Sequence, residues 1–300
     1  MNAQNIASPA MPVEQTTDFF NNANLEKRMK SHPLGTQNIP KGVIEEVASA
    51  FSPEHQNGFY DAYGSSDGVW TQIVLANKDG DADDGQSYEY DARCKFTCHI
   101  EKLPKTKKWL LKHVNLDKVR SIRIFVTYAG GMIVTHRDYL EFKDGFDRVH
   151  IPLVTNPKAV NSENDLVYHM NVGEVWMLVG EEPHSALNDS EEPRLHLVID
   201  YVKGCPQEDM FNLSLGKVPK VSFKYREFIT DTNVDALTRM AQLSIQDNFK
   251  NTRDVVNRLH FYNWLPATFT YEVLLKAAEA SGSQELIDQA LASRNEMIGA

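Results

Sequence analysis

The feature that most constrains this chain is a spacing: His136-Arg137-Asp138, later His184, then Arg194. Two imidazoles and one carboxylate can cap one face of an octahedral metal and leave three positions open. This is the 2-His-1-carboxylate facial triad, whose usual occupant is non-heme Fe(II). On a strand, side chains alternate, so His136 and Asp138 point to one side and Arg137 to the other. His184 lies in Glu181-Glu182-Pro183-His184-Ser185-Ala186, read as a turn after a strand over 174–179. The interval from Asp138 holds about three strands of ordinary length with their connections. To bring His184 back to the pair, the chain must fold as a β-structure that returns to its starting point. Each histidine alone reads more simply as a hydrogen-bonded core or rim residue. The set of four reads as a metal site.

The surrounding texture agrees. Strand-like runs cover 69–75, 121–128, 149–154, 167–170, 174–179 and 195–201, with Gly, Pro, Asn and Asp at the joints. Many short strands of this kind predict a closed or double-sheet architecture, a double-stranded β-helix of the jelly-roll or cupin type. Met132 to Thr135 leads straight into His136, after a turn or bulge at Gly130-Gly131. Helical spacing is expected over 18–30, 42–51 and 105–113. Ser31-His32-Pro33-Leu34-Gly35 and Ser52-Pro53 read as breaks. After Gly204 the pattern turns helical, over 234–249, 251–262, 269–280 and 284–295, with Ser281-Gly282-Ser283 as a break. The expected organisation is a polar, disordered segment 1–16, a mainly β catalytic domain 17–204 with N-terminal helices, and a helical C-terminal region 205–300.

The 300 residues carry 31 basic and 41 acidic side chains, a formal charge of −10. That balance argues against nucleic-acid or anionic-membrane partners. No run of eighteen apolar residues and no leader-like start is present, so neither a membrane helix nor a signal peptide is expected. Three cysteines, Cys94, Cys98 and Cys205, cannot form an even disulfide framework, and a reducing cytoplasm is the simplest compartment. Cys94-x-x-x-Cys98-His99 lacks the second ligand pair of a zinc finger, so small half-buried thiols are expected. Asp79, Asp81 and Asp83 have calcium-loop spacing. However, Asp84 stands where the loop needs Gly and Tyr90 where it needs Glu, so a solvated turn is expected.

Arg194 opens a strand and would be an expensive unpaired charge if it faced inward. A bidentate carboxylate would satisfy it, and the distal carboxylate of 2-oxoglutarate is such a group. That acid can fill two of the three open metal positions and leave one for dioxygen. The competing reading pairs Arg194 with Glu191 or Glu192 at the surface. Arg148 and His150 point to one side of their strand, and Arg123 adds a third basic residue. Several inward arginines suggest a small acid bound beside the oxoglutarate.

These residues, in the stretches His136-Arg137-Asp138-Tyr139-Leu140-Glu141, Arg148-Val149-His150-Ile151-Pro152-Leu153, Gly173-Glu174-Val175-Trp176-Met177-Leu178, Pro183-His184-Ser185-Ala186 and Pro193-Arg194-Leu195-His196-Leu197-Val198-Ile199-Asp200, resemble the aspartyl/asparaginyl β-hydroxylase-like family. Within it they resemble the bacterial branch acting on free proline. Leu259-His260-Phe261 and Leu286-Ile287 are similar to the helical region of that branch. The close resemblance spans about 120–201, and the first 90 residues match weakly.

The resemblance implies an Fe(II)- and 2-oxoglutarate-dependent dioxygenase that hydroxylates a free L-amino acid, proline or a close analogue. Its iron ligands would be His136, Asp138 and His184, and Arg194 would hold the oxoglutarate, helped by His150. Arg123 and Arg148 would contact the substrate carboxylate, and Trp176 would line the pocket or serve the core. Protein β-hydroxylases carry Gly at the position of Asp138, which places this chain with the small-molecule branch. Two alternatives stay open: a hydroxylase of peptide- or carrier-bound residues, and a non-enzymatic β-roll binding module. The oligomeric state is not legible.

Overall fold

A computed structural model describes residues 22–51, 63–64, 69–85, 93–138, 145–229 and 231–299. The expected disorder of 1–16, the break at Ser52-Pro53 and the position of Tyr90 lie outside them. The strands are β1 (His32–Thr36), β2 (Tyr63–Gly64), β3 (Trp70–Asn77), β4 (Lys95–Phe96), β5 (Val119–Thr127), β6 (Met132–His136), β7 (Asp147–Val154), β8 (Ala159–Glu163), β9 (Leu166–His169), β10 (Glu174–Leu178), β11 (His184–Asn188), β12 (Arg194–Tyr201) and β13 (Ser222–Phe223). The principal helices are α1 (Asn22–Arg28), α2 (Lys41–Ala50), α3 (Pro104–His113), α4 (Asp231–Ile245), α5 (Phe249–Arg258), α6 (Phe269–Ser281) and α7 (Gln284–Ile298).

These thirteen strands form two antiparallel sheets, and a short parallel pair, Glu227–Phe228 with Asn263–Trp264, forms a third. The major sheet runs β1-β10-β7-β12-β5-β3-β2, with β4 on β3, and the minor sheet runs β13-β9-β8-β11-β6. Strands cross between sheets as the chain advances, which is the double-stranded β-helix expected from the sequence. Alternation gives the central strands of the major sheet two unlike faces. Ile122, Ile124 and Val126 of β5, Val149, Ile151 and Leu153 of β7, and Leu195, Leu197 and Ile199 of β12 face outward. There they pack against Val43 and Val47 of α2 and Trp109 and Leu110 of α3 in one core. Glu46 of α2 fixes this layer by accepting from the backbone N–H groups of Lys105 and Thr106, at 3.0 and 2.8 Å, where α3 begins. A carboxylate is favoured there because the first turn of a helix leaves its N–H groups unpaired. The opposite, inner face carries Ser121, Arg123, Arg148, His150, Arg194, His196 and Asp200, all buried.

The C-terminal helices build a second core around Ile245, Val256, Tyr271, Leu274 and Ala277. Gly282 closes α6 in the left-handed region, at φ 72°, and Ser283 caps α7 by accepting from Leu286 N–H. This explains the Ser-Gly-Ser break. The helical region is not detached from the β-structure. Tyr271 Oη donates to the Thr135 carbonyl at 2.5 Å, and the Arg137 N–H donates to the Met297 carbonyl at 2.8 Å. The boundary expected at Gly204 is also crossed by β13, which pairs with β9.

Two expectations change. The 31–35 segment read as a break is strand β1, an edge strand beside β10 with a register shift between Pro33 and Gly35. An edge can accept a proline because one side of the strand needs no ladder N–H. Strand β8 was not expected at all. It forms a hairpin with β9, turning at Asn164, whose φ is 53°. Among the described residues no helix is long and apolar enough to cross a membrane.

Candidate active site

Strand β11 returns His184 directly opposite His136 of β6. His184 is thus the first residue of a strand, not part of the expected turn. The ring centroids lie 4.3 Å apart. Strand β6 stops at His136, so alternation does not place Asp138. Its backbone N–H instead donates to the Gly180 carbonyl at 2.9 Å. Gly180 has no side chain for a specific reason: an added Cβ would sit 2.7 Å from Asp138 Cβ and 2.7 Å from its Oδ2. Asp138 Oδ1 comes within 3.3 Å of His136 Nε2, and Oδ2 within 3.7 Å of His184 Nε2. One ligand atom from each of the three residues lies within 4.8 Å of the others.

The hydrogen bonding suits a metal. The Nδ1 of His136 donates to the Val134 carbonyl at 2.8 Å, and that of His184 to the Glu182 carbonyl at 2.9 Å. With the proton held on Nδ1, each ring presents its Nε2 lone pair to the shared space. Burial, with a smaller push from His136, lowers His184 to about 4, so it is neutral near pH 7. Burial alone would raise the Asp138 carboxyl, but the Arg148 guanidinium holds it well below the usual carboxylate range. Two imidazole nitrogens and an ionised carboxylate are the donor set that Fe(II) takes on one face.

Arg148 does more than line the cavity. Its Nη1 donates to Asp138 Oδ2 at 2.5 Å, its Nε to Asp200 Oδ1 at 2.7 Å and its Nη2 to Asp200 Oδ2 at 3.0 Å. Burial would lower its pKa, but the two carboxylates raise it further still. Arg123 donates to Asp200 Oδ2, to Gln72 Oε1 at 3.0 Å and to the Gly85 carbonyl at 3.1 Å. Arg123 and Arg148 both face the cavity that contains the triad.

Arg194 lines the same cavity and is 2% exposed, so the surface pairing with Glu191 or Glu192 is not made. Its Nη2 donates to Asn161 Oδ1 at 2.5 Å and to His196 Nδ1 at 3.1 Å. Both partners are neutral; no carboxylate lies within ion-pair distance among the described residues. Burial lowers it to about 10, which still leaves it charged at neutral pH. Its Nε, the Nε2 of His150 and the Nε2 of His196 are buried with no hydrogen-bond partner. A buried cation of this kind is costly unless a ligand anion completes it. Arg194 and His150 therefore fit the expected carboxylate site.

Trp176 is placed elsewhere. It is fully buried, stacks on Tyr168 with centroids 5.1 Å apart, and donates from Nε1 to Glu174 Oε2 at 2.8 Å. It packs in a core with Leu25, Met29, Met170 and Val221. Strand alternation puts Trp176 and Leu178 on one face, but it is Leu178, two residues nearer the triad, that reaches the cavity. The cysteines are not brought together as a pair. Cys94 and Cys205 are buried and Cys98 is exposed, all three free. The acidic turn is held by Asn77, whose Nδ2 donates to the carbonyls of Asp81 and Asp84 at 2.7 and 2.8 Å.

The sequence reading missed Asp200, His196, Asn161, Gln72 and Gly180. For β12 the signal was present: Arg194, His196 and Asp200 share one face, interrupted by Val198, with Leu195, Leu197 and Ile199 on the other. Asn161 lies in the unexpected strand β8, and Gly180 leaves no signal but its own smallness.

A double-stranded β-helix whose two sheets converge on a His–Asp–His set defines a class, the metal-dependent proteins of cupin type. Residues 41–204 match the aspartyl/asparaginyl β-hydroxylase family, and residues 211–300 match the C-terminal region of L-proline 3-hydroxylase. The chain belongs to the aspartyl/asparaginyl β-hydroxylase family, a family of Fe(II)- and 2-oxoglutarate-dependent oxygenases. It is 26% identical over 272 residues to L-proline cis-4-hydroxylase of Rhizobium meliloti, covering 90% of this chain and 96% of that one. It is 25% identical over 278 residues to L-proline cis-3-hydroxylase 2 of a Streptomyces species, covering 87% and 92%. Among solved structures, an oxidoreductase of the 2OG-Fe(II) oxygenase family from Burkholderia pseudomallei is 12% identical, covers 65% of this chain and 93% of its own, and has a TM-score of 0.35.

Proposed function

We propose that this protein hydroxylates an unactivated carbon of a free L-amino acid, with proline or a close cyclic analogue as the leading substrate. The observation that carries this reading is the cavity itself: the triad, Arg123, Arg148 and Arg194 all open onto one space. The similarity to L-proline hydroxylases supports the substrate class.

His136, Asp138 and His184 would hold Fe(II). Arg194, with Asn161 beside it and His150 near, would receive the distal carboxylate of 2-oxoglutarate. Bound together, the iron, oxoglutarate and dioxygen supply the oxidising power, which no side chain here has. The protein's part is orientation. Arg123 and Arg148 would hold the amino acid by its carboxylate and turn one C–H toward the metal side of the cavity. Orientation of this kind makes such a reaction selective. The apolar walls, including Phe125, Leu178 and Ala186, keep water from the reacting carbon.

Two measurements test the proposal. Anaerobic addition of Fe(II) and 2-oxoglutarate should produce a visible charge-transfer band. A panel of free amino acids, scored by mass, should then show gain of one oxygen atom with proline or an analogue. Turnover only of peptides or carrier-bound residues would overturn the substrate assignment, and absence of the band would overturn the oxygenase reading of the site.

A further inference from the structure

Asp200 is fully buried and does not line the cavity, yet Arg123 and Arg148, which both donate to it, do. The strand register explains how. Across β5, β12 and β7, Asp200 stands directly opposite Ser121 on one side and Arg148 on the other. One row along, Val198 stands between Arg123 and His150. The carboxylate thus lies behind both guanidinium groups. It accepts from Arg148 Nε at 2.7 Å, from Arg148 Nη2 at 3.0 Å, from Ser121 Oγ at 3.2 Å and from Arg123 Nη2. The two bonds to Arg148 are the fork geometry that fixes a guanidinium plane. With that plane fixed, Nη1 of Arg148 is aimed at Asp138 Oδ2, 2.5 Å away.

We propose that Asp200 is a positioning residue of the site: through Arg148 it sets the orientation of the metal-ligand carboxylate Asp138, and with the same two oxygens it fixes Arg123 and Arg148 as a pair toward the cavity. The part concerning the cavity-facing pair rests on the functional reading above; the part concerning Asp138 does not. The alternative is an ordinary buried ion pair that serves the sheet. Stability alone is a poor reason for it, because replacing buried ion pairs by apolar residues is often neutral or stabilising. The quartet has the composition of a site instead. Arg123 and Arg148 balance Asp138 and Asp200, and removing Asp200 would leave an extra positive charge beside the place a cation must enter. Outer partners that orient metal ligands are worth about 10–100-fold in metal affinity.

The test is the full-length Asp200→Asn protein, checked for folding by circular dichroism and titrated with Co(II) in place of iron. Co(II) affinity should fall about tenfold or more while the fold holds. In the iron-loaded enzyme, 2-oxoglutarate decarboxylation should run ahead of amino-acid hydroxylation. A folded Asp200→Asn protein with Co(II) affinity within about twofold of wild type, or with unchanged coupling, would overturn the proposal. Should Asp200→Asn fail to fold, Arg148→Lys replaces it. That variant keeps the charge beside Asp200, but an ammonium cannot reproduce the planar fork that holds Asp138 and Asp200 at once. It should show the same loss of Co(II) affinity, and wild-type affinity would overturn the proposal. Co(II) binding needs no substrate. If the wild-type protein takes Co(II) tightly and hydroxylates no free amino acid, the substrate reading fails and the role of Asp200 toward Asp138 is still decided by the titration.

Discussion

The two sheets divide the work of the site. The minor sheet contributes His136 and His184 from adjacent strands β6 and β11. The major sheet contributes charge: Arg123, Arg148, Arg194 and Asp200 from β5, β7 and β12, all at 6% exposure or less. On the proposed reading, a cation and anions are bound from separate strands. The contact between Arg148 and Asp138 joins the two groups of residues. A substitution on one sheet should therefore disturb one kind of binding and spare the other, except where it touches that bridge.

The largest effect should come from the metal side. Asp138→Ala should reduce turnover to background. It should also weaken Co(II) binding by more than the roughly 10–100-fold typical of outer partners. Binding of oxoglutarate's distal carboxylate at Arg194 should survive in part. Near-normal activity of the purified variant would refute the triad.

Arg194→Ala is the mirror experiment on the major sheet. Losing a charge-assisted contact to a buried carboxylate should cost roughly 2–5 kcal/mol of oxoglutarate binding. Co(II) affinity should stay close to wild type. An unchanged oxoglutarate titration would mean that the buried guanidinium serves only Asn161 and His196.

Gly180→Ala probes the bridge from the other direction. The new methyl group meets Asp138 at 2.7 Å, so Asp138 or the Gly180 turn must move. Overpacking of this kind costs about 1–3 kcal/mol. Co(II) affinity should fall with it, and oxoglutarate dependence should change less. Equal losses on both sides would show that the sheets are coupled more tightly than their separate strands suggest.

The smallest effect concerns the backing of the minor sheet. His260 accepts at Nε2 from Ser185 or Ser162, at 2.9 and 3.0 Å, and burial lowers it to about 3. An unfolded histidine titrates near 6.5. Between those values the unfolded chain holds a proton that the native state lacks. This contribution to stability is therefore complete above about pH 6.5 and is lost as pH falls toward 3. His260→Gln should lower stability at pH 7 but flatten its pH dependence, by up to about 1.4 kcal/mol per pH unit in that window. Denaturant midpoints at pH 7 and pH 5 decide it; parallel lines for variant and wild type would remove His260 from the account.

Much of this could be read from the residues because it follows short-range rules. Alternation marks β5, β7 and β12 and the sides on which Arg123, Arg148 and His150 fall. The Ser-Gly-Ser break and the C-terminal helices follow from spacing and capping. What could not be read depends on contacts distant in sequence. Strand β8 is buried yet spelled Ala-Val-Asn-Ser-Glu, so its polar residues look like a loop; they are polar because they face Arg194, His260 and other partners. Asp138 lies past the end of its strand, and its position is set by the Gly180 carbonyl. Trp176 lies on the expected face, but its row along the strand is fixed by packing with Tyr168 and Met170.

The bond from the Arg137 N–H to the Met297 carbonyl has a bearing on biosynthesis. Arg137 stands between two of the three triad residues, and its backbone partner is supplied from α7, made long after both sheets have left the ribosome. Until that helix docks, the turn carrying Asp138 lacks one of its anchors. A nascent chain can pair its strands early, but this anchor forms only when the region near residue 297 has been synthesised and packed.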